Sequence, residues 1–171
     1  MSKILIAGMG NVLRCDDGFG VEIAKRLAAD NTLPTDARVI EVGIGGIHLV
    51  QELMDGYDVL IIIDAVERDS APGTLYVLEA EVPDLATWPE NQRQDFLADM
   101  HYTTPSKALI LAKALGVLPP KAFIVGCQPL EVDELGIGLS ELVEQAAPGM
   151  IQKIEQLVRQ FSTVGAGGAG C

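Results

Sequence analysis

Residues 3–20 read KILIAGMGNVLRCDDGFG and join an apolar run, a glycine-rich loop and the start of an amphipathic segment. The run over residues 3–8 has the length of a strand. Over residues 18–30, apolar side chains recur at helical spacing with charged side chains between them. A strand, a loop and a helix in this order predict the opening unit of an α/β protein built on a mainly parallel sheet.

The rest of the chain repeats this alternation of short apolar runs and longer segments of helical period. Further strands are predicted at residues 38–42, 58–63, 74–78 and 122–125, and helices at 47–54, 104–115 and 140–161, with a kink or break at Pro148-Gly149. Residues 79–100 are polar and are predicted to be irregular. We expect an α/β three-layer sandwich with a twisted, mainly parallel five-stranded sheet, helices on both faces and residues 74–78 as a strand able to run antiparallel at an edge.

Length and composition place narrow limits on the class of protein. The 171 residues fit one domain, here residues 1–161, and residues 162–171 form a Gly/Ala-rich tail that is predicted to be disordered. A net charge of -12 argues against nucleic acid as a partner. The purest apolar run, residues 59–63, is too short to span a membrane, and the N-terminus lacks the core of a signal peptide. We therefore expect a cytoplasmic monomer with reduced cysteines.

Several common catalytic signatures are missing from the sequence. There is no HExxH zinc motif, no GxxxxGK[ST] phosphate loop and no GxSxG serine elbow. Gly8 and Gly10 after the first strand invite a dinucleotide-binding interpretation, but the third glycine of that fingerprint is replaced by Leu13. Asp16 and Asp17 in the same loop would also repel a pyrophosphate. Nucleotide binding remains the less favoured alternative.

Acidic residues follow two of the predicted strands. Asp16 and Asp17 lie in the loop after the first strand, and Asp64 directly follows the apolar run 61–63. If the first strand lies between the second and third, as in flavodoxin-like folds, these carboxylates converge at the carboxyl edge of the sheet. An acid after a buried strand must be hydrated, hydrogen-bonded or bound to a cation. The alternatives are a capping role for Asp64 and an N-cap role for Asp17.

A histidine lies within reach of the same edge. His101 precedes the predicted helix that begins at Thr104-Pro105. One imidazole and two carboxylates, from Asp17 and Asp64, would form a three-ligand site suited to Ni, Zn, Mn or Fe. A histidine in a polar loop is also commonly a surface residue, so both interpretations stand.

The loop sequence resembles a known family. Residues 8–20, GMGNVLRCDDGFG, are similar to the opening signature of the [NiFe]-hydrogenase maturation endopeptidases, commonly G-x-G-N-x-L-x-x-D-[DE]-G-x-G. Residues 60–65, LIIIDA, and 71–74, APGT, resemble the second block of that family. The resemblance covers about residues 3–160.

The resemblance implies a protease that removes a C-terminal extension from the nickel-loaded precursor of a [NiFe]-hydrogenase large subunit. It implies that Asp17 and Asp64 are the catalytic, metal-binding acids, that His101 is the third metal ligand, and that the substrate supplies the nickel. Gly43, Gly45 and Gly46 correspond to a glycine-rich block that binds the substrate. Family members often have Gly-Gly-Thr there, and this chain has no threonine in that loop.

Two questions remain open at this level. Peptide cleavage could be assisted by the metal or driven by an aspartate acting as general base on water. A non-enzymatic nickel chaperone or sensor that uses the same ligands is the alternative function.

Overall fold

A computed structural model describes residues 2–99 and 104–164 of the chain. Within those residues, strands and helices alternate along most of the sequence. In chain order they are β1 (Ile4–Met9), α1 (Phe19–Asp30), β2 (Ala37–Gly43), α2 (Gly46–Leu53), β3 (Val59–Ala65), β4 (Leu75–Glu79), α3 (Glu90–Ala98), α4 (Pro105–Ala114), β5 (Lys121–Cys127) and α5 (Glu141–Val164). Short 3-10 turns lie at Cys15–Gly18 and Leu85–Thr87.

The five strands form one sheet in the order β2-β1-β3-β5-β4. Strand β1 runs parallel to β2 and β3, and β3 runs parallel to β5. Strand β4 is antiparallel to β5 at the edge of the sheet. The predicted five-stranded, mainly parallel α/β sheet with one antiparallel edge strand is confirmed, and so is the position of β1 between β2 and β3.

The central strands β1 and β3 are buried on both faces because helices cover each side of the sheet. Alternate side chains of a strand point to opposite faces. Ile4 and Ile6 therefore belong to a core that includes α1 and α5, while Leu5 and Ala7 belong to a second core that includes α2 and α4. The result is the predicted three-layer arrangement, in which both central strands are continuous apolar runs.

Two local predictions differ from the structure. Residues 79–100 are not all irregular, because α3 occupies Glu90–Ala98 and its Phe96 packs with Leu85 and Ile110 in a small separate core. Helix α5 continues without a break through Pro148 and ends at Val164, three residues beyond the predicted end. Its buried face holds the helix against the sheet on both sides of the proline; that face consists of Val143, Ala147, Met150, Ile154 and Val158.

The part of the tail that follows Val164 lies outside the described residues, as do residues 100–103. Of the helices in the described part of the chain, none combines the length and the apolar content that a membrane span requires. Cys15 and Cys127 are both free thiols.

Candidate active site

Asp64 lies at the carboxyl end of β3, in register with Gly126 of β5. Its Oδ1 accepts a hydrogen bond of 2.9 Å from the N–H of Ala65, and the side chain is only partly accessible. Burial and the negative charge of Asp17 together raise the pKa of Asp64 to about 7, and burial is the larger of the two causes. A carboxyl group with a pKa in this range can exchange a proton at neutral pH.

Asp17 is delivered to the same edge by the 3-10 turn that follows β1. Its Oδ2 accepts a hydrogen bond of 3.1 Å from the N–H of Asn11, which closes the loop between β1 and the turn. The side chain of Asn11 in turn accepts a hydrogen bond from the N–H of Leu13 at 3.0 Å. The predicted alternative of an N-cap role for Asp17 is not observed, because the N-cap residue of α1 is Gly18 and no side chain caps this helix.

Gly10, one of the glycines of the loop motif, lies between the two acids, and its surroundings explain why this position is a glycine. Its φ is +118°, a conformation that side chains rarely adopt. A Cβ atom built on Gly10 would lie 1.9 Å from the carbonyl oxygen of Asp17 and 3.4 Å from Oδ1 of Asp64. The backbone of Asp17 and the side chain of Asp64 can therefore both lie this close to position 10 only because it is a glycine.

The last glycine of the same motif, Gly20, is required by close packing. A Cβ atom at this position would lie 2.0 Å from the carbonyl oxygen of Ile63 and 2.3 Å from that of Met9. The first turn of α1 thus packs directly on the backbones of β1 and β3. This contact fixes the turn that carries Asp17 above the ends of the two strands, beside Asp64.

The two acids open into a cleft of about 120 Å³ at the carboxyl edge of the sheet. Its lining combines β1, β2, β3 and the start of α4: Met9, Gly10, Asp17, Gly43, Ile44, Asp64, Thr104 and Pro105. Thr104 caps α4 as predicted, since its Oγ1 accepts a hydrogen bond from the N–H of Lys107 at 3.3 Å. The cleft lies where strand order reverses, which is the usual ligand site in a doubly wound sheet.

His101, the predicted third metal ligand, lies outside the described residues. Within residues 2–99 and 104–164, no group of three or more His, Cys, Asp or Glu side chains could hold a metal ion. Asp17 and Asp64 are therefore the two predicted ligands that the structure brings together. Their adjacent negative charges suit a divalent cation, because a cation in the cleft would offset both their repulsion and the burial cost of Asp64.

The glycine-rich segment at the end of β2 reaches the cleft through Gly43, the last residue of that strand. Gly43 has a φ of +63°, and its carbonyl oxygen accepts a hydrogen bond of 2.9 Å from the N–H of Gly10. Gly45 precedes α2, and Gly46 is the buried first residue of that helix. Of the three glycines predicted to bind substrate, Gly43 thus lines the cleft, together with the exposed side chain of Ile44.

Asp16 does not join the other two acids, contrary to expectation. Its side chain is fully buried and points toward the segment between β5 and α5. There it accepts hydrogen bonds from the N–H groups of Leu130 and Glu131, and from both the N–H and the hydroxyl of Ser140. Sequence reasoning missed this role because the donors lie more than a hundred positions away, and only the adjacency of two acids was visible.

The cysteines take no part in this cleft. Burial, and to a smaller extent the charge of Asp16, raises the pKa of Cys127 to about 11. Its thiol stays protonated at neutral pH and is a poor nucleophile. The two carboxylates are thus the reactive groups that the described part of the chain offers here.

The fold and the site together define a class: an α/β protein with a doubly wound, mainly parallel sheet, whose cleft at the reversal of strand order is acidic rather than phosphate-binding. Within that class, a family model described as hydrogenase maturation protease matches residues 21–157. The chain belongs to the hydrogenase maturation protease family.

The chain is also similar in sequence to individual hydrogenase expression/formation proteins. The chain is 37% identical over 142 residues to the hydrogenase expression/formation protein HupM of Azotobacter chroococcum mcd 1, and 30% identical over 141 residues to HupD of Rhodobacter capsulatus. Each match covers 82% of this chain and 64% of the relative, so the chain spans less than two thirds of the length of either protein.

A solved structure shows the same fold. The chain superposes on the hydrogenase maturating endopeptidase HybD from E. coli with a TM-score of 0.72 and 27% sequence identity. The match covers 92% of this chain and 93% of that structure.

Proposed function

We propose that this protein is an endopeptidase that removes a C-terminal extension from the nickel-loaded precursor of a [NiFe]-hydrogenase large subunit. The observation that carries the proposal is the placement of Asp17 and Asp64 in one cleft, in a chain of the hydrogenase maturation protease family. The catalytic groups are the two carboxylates, and Gly43, Gly45 and Gly46 form the loop that selects the substrate.

The nickel ion belongs to the substrate in this proposal. The residues present fit such an ion, since two carboxylates in one cleft supply two oxygen ligands and two formal charges. We assign His101 as the third ligand, because it precedes Thr104, which lines the cleft, by three residues. A site completed by the metal of the substrate would prevent cleavage of a precursor that has not received nickel.

Asp64 is the group best suited to accept a proton from water during hydrolysis. Its pKa of about 7 lies near the pH of the cytoplasm, where a general base is most effective. Nickel carried by the precursor would polarise the scissile carbonyl or acidify a bound water. A direct aspartate route uses the same carboxylate without the metal.

The test is to incubate the protein with a nickel-loaded large-subunit precursor and to follow the mass of the precursor. We expect a loss equal to the C-terminal extension with the wild-type protein and none with Asp64→Asn. Asp58→Asn is the matched control. Asp58 is exposed, directly precedes the opposite end of the same strand, and accepts a hydrogen bond from the N–H of Lys3 that an amide oxygen can keep. Circular dichroism would show that both variants are folded.

Two other outcomes have definite meanings. Cleavage of a precursor without nickel would identify the direct aspartate route. Binding of the nickel-loaded precursor without any loss of mass, under conditions in which Asp64→Asn weakens binding, would instead indicate the non-enzymatic chaperone or sensor.

A further inference from the structure

The loop between β5 and α5 exposes large apolar side chains to an unusual degree. Leu135 and Ile137 are each 86% exposed, and Leu130 is 58% exposed. Exposed apolar groups that lie together on a soluble protein commonly mark a surface that contacts a partner. The loop is rich in acidic residues as well, with Glu131, Asp133 and Glu134 beside the apolar ones.

The loop is held in place by many hydrogen bonds. Asp16 accepts hydrogen bonds from both of its ends, at Leu130 and Ser140. In its middle, Gly136 donates to the carbonyl of Leu13 and accepts from the N–H of Cys15, each at 2.9 Å. Anchored in this way, the loop keeps Ile137 on the surface, where a ligand gains contacts without first having to order the loop.

This surface is continuous with the candidate active site. The cleft that holds Asp17 and Asp64 shares Gly10, Gly43 and Ile44 with a depression of about 340 Å³ beside it. That depression shares Val12 and Lys25 with a third one, of about 170 Å³, which is lined by Ile137. Together the three form a groove, which we call the β1–β5 groove, that leads from the carboxylates to Ile137.

Apolar side chains lie exposed along this groove. Leu13 is 55% exposed, Ile44 is 54% exposed and Val12 is 39% exposed. The lining also includes the carboxylates of Glu22, Glu41 and Glu144 and the side chain of Lys25, and Arg26 forms ion pairs with Glu22 and Glu144. Because the charged groups of the lining are of both signs, the exposed apolar side chains are its distinguishing feature, and they favour an apolar peptide.

We infer that the β1–β5 groove binds an extended apolar segment of the precursor that lies next to the scissile bond. The inference rests on the proposed function, because the groove begins at the carboxylates that would cut the peptide. Ile137 and Leu13, which line successive depressions of the groove, determine specificity by contacting this segment, and Asp16 positions the loop that carries Ile137.

The test is steady-state cleavage of the nickel-loaded precursor by Ile137→Ser and by Leu13→Ser. We expect KM to rise about tenfold in each variant with kcat unchanged, because an apolar contact far from the reacting atoms contributes to substrate binding. Leu115→Ser is the matched control for Leu13→Ser, since Leu115 is 53% exposed at the end of α4 far from the cleft and its replacement leaves KM unchanged.

Each remaining outcome is decisive. If both groove variants keep the wild-type KM, or if only kcat falls, the inference that the groove binds the precursor is wrong and the proposed function is unaffected. A wild-type protein that does not cleave overturns the proposed function and the groove with it. If the wild-type chain is a dimer in size-exclusion chromatography and Ile137→Ser makes it monomeric, the surface binds a second copy and the inference is wrong. Should Ile137→Ser fail to fold, Leu13→Ser alone decides, because its change leaves the loop between β5 and α5 intact.

Discussion

Asp17 and Asp64 line one cleft from two different elements, and the charge of Asp17 adds to burial in raising the pKa of Asp64 to about 7. The two effects differ in origin. Burial disfavours the charged carboxylate regardless of its neighbours, whereas the repulsion depends on Asp17 being ionised. Their separate contributions can be measured.

Neutralising the neighbour should lower the pKa of Asp64 without returning it to its ordinary value. In Asp17→Asn the repulsion is lost and the burial, which is the larger cause, remains. Carboxyl-carbon NMR titration of the metal-free protein measures this directly. An unchanged pKa in the variant would show that the two carboxylates do not interact.

Asp64 should also make the metal-free protein less stable as the pH rises. Its pKa is about 7 in the folded state against 3.8 in the unfolded state, so the folded state keeps a proton that the unfolded state releases. The stability that depends on this group is therefore complete below about pH 4, falls as the pH rises toward 7, and is absent above that.

Asp64→Asn removes this dependence. We expect the variant to gain stability relative to the wild type on going from pH 5 to pH 8, by an amount on the order of 2 kcal/mol. Urea denaturation at the two pH values measures the difference. The control is Asp58→Asn, which replaces a solvent-exposed carboxylate. If the free energy of unfolding changed equally between pH 5 and pH 8 in Asp64→Asn and Asp58→Asn, the pKa of Asp64 would not be raised by burial.

The glycine between the two acids should be irreplaceable. Gly10→Ala places a methyl group 1.9 Å from the carbonyl oxygen of Asp17, so the backbone must move. We expect a loss of about 3 kcal/mol or more in stability, together with the loss of precursor cleavage.

Gly116→Ala is the control that separates backbone strain at a positive φ from the steric clash at Gly10. Gly116 also has a positive φ, +71°, but nothing lies within 4 Å of the position of its Cβ. Its replacement should cost only about 1 kcal/mol and leave cleavage unchanged. If Gly10→Ala and Gly116→Ala lost the same amount of stability, backbone strain alone, and not the lack of space at position 10, would explain the need for a glycine.

The sequence predicted the positions of Asp17 and Asp64 better than it predicted their surroundings. Asp64 was identifiable because an acid at the end of an apolar strand is costly to bury, and Asp17 because the order of the strands brings its loop to the same edge. Both arguments use local pattern and fold class. The structure supports them by bringing the two side chains into one cleft.

What the sequence did not predict depends on contacts between distant segments or on weak periodicity. Helix α3 has only three apolar side chains in nine residues, so its period is faint, although Glu, Gln, Arg and Leu are good helix formers. The role of Asp16 was hidden because its partners lie beyond residue 129. Hydrogen bonds at that separation have no signature in a single sequence.

The anchoring role of Asp16 gives a last prediction. In Asp16→Asn, one carboxylate oxygen becomes an NH2 group that faces an N–H donor, either Ser140 or the pair Leu130 and Glu131. We expect a loss of about 2–3 kcal/mol, because buried donors are left without acceptors. Amide hydrogen exchange should become faster in the loop between β5 and α5 and stay slow in β1 and β3.

The control for this variant lies on the same loop. Asp133 has a side chain that is 92% exposed and forms an ion pair of 3.4 Å with Arg14. Asp133→Asn should change the stability by less than about 0.5 kcal/mol, since exposed ion pairs contribute little. If Asp16→Asn were equally mild, the buried carboxylate would not be what holds the loop, and the rigidity that the β1–β5 groove requires would need another source. If exchange instead became faster throughout β1 and β3, Asp16 would stabilise the whole domain rather than this loop.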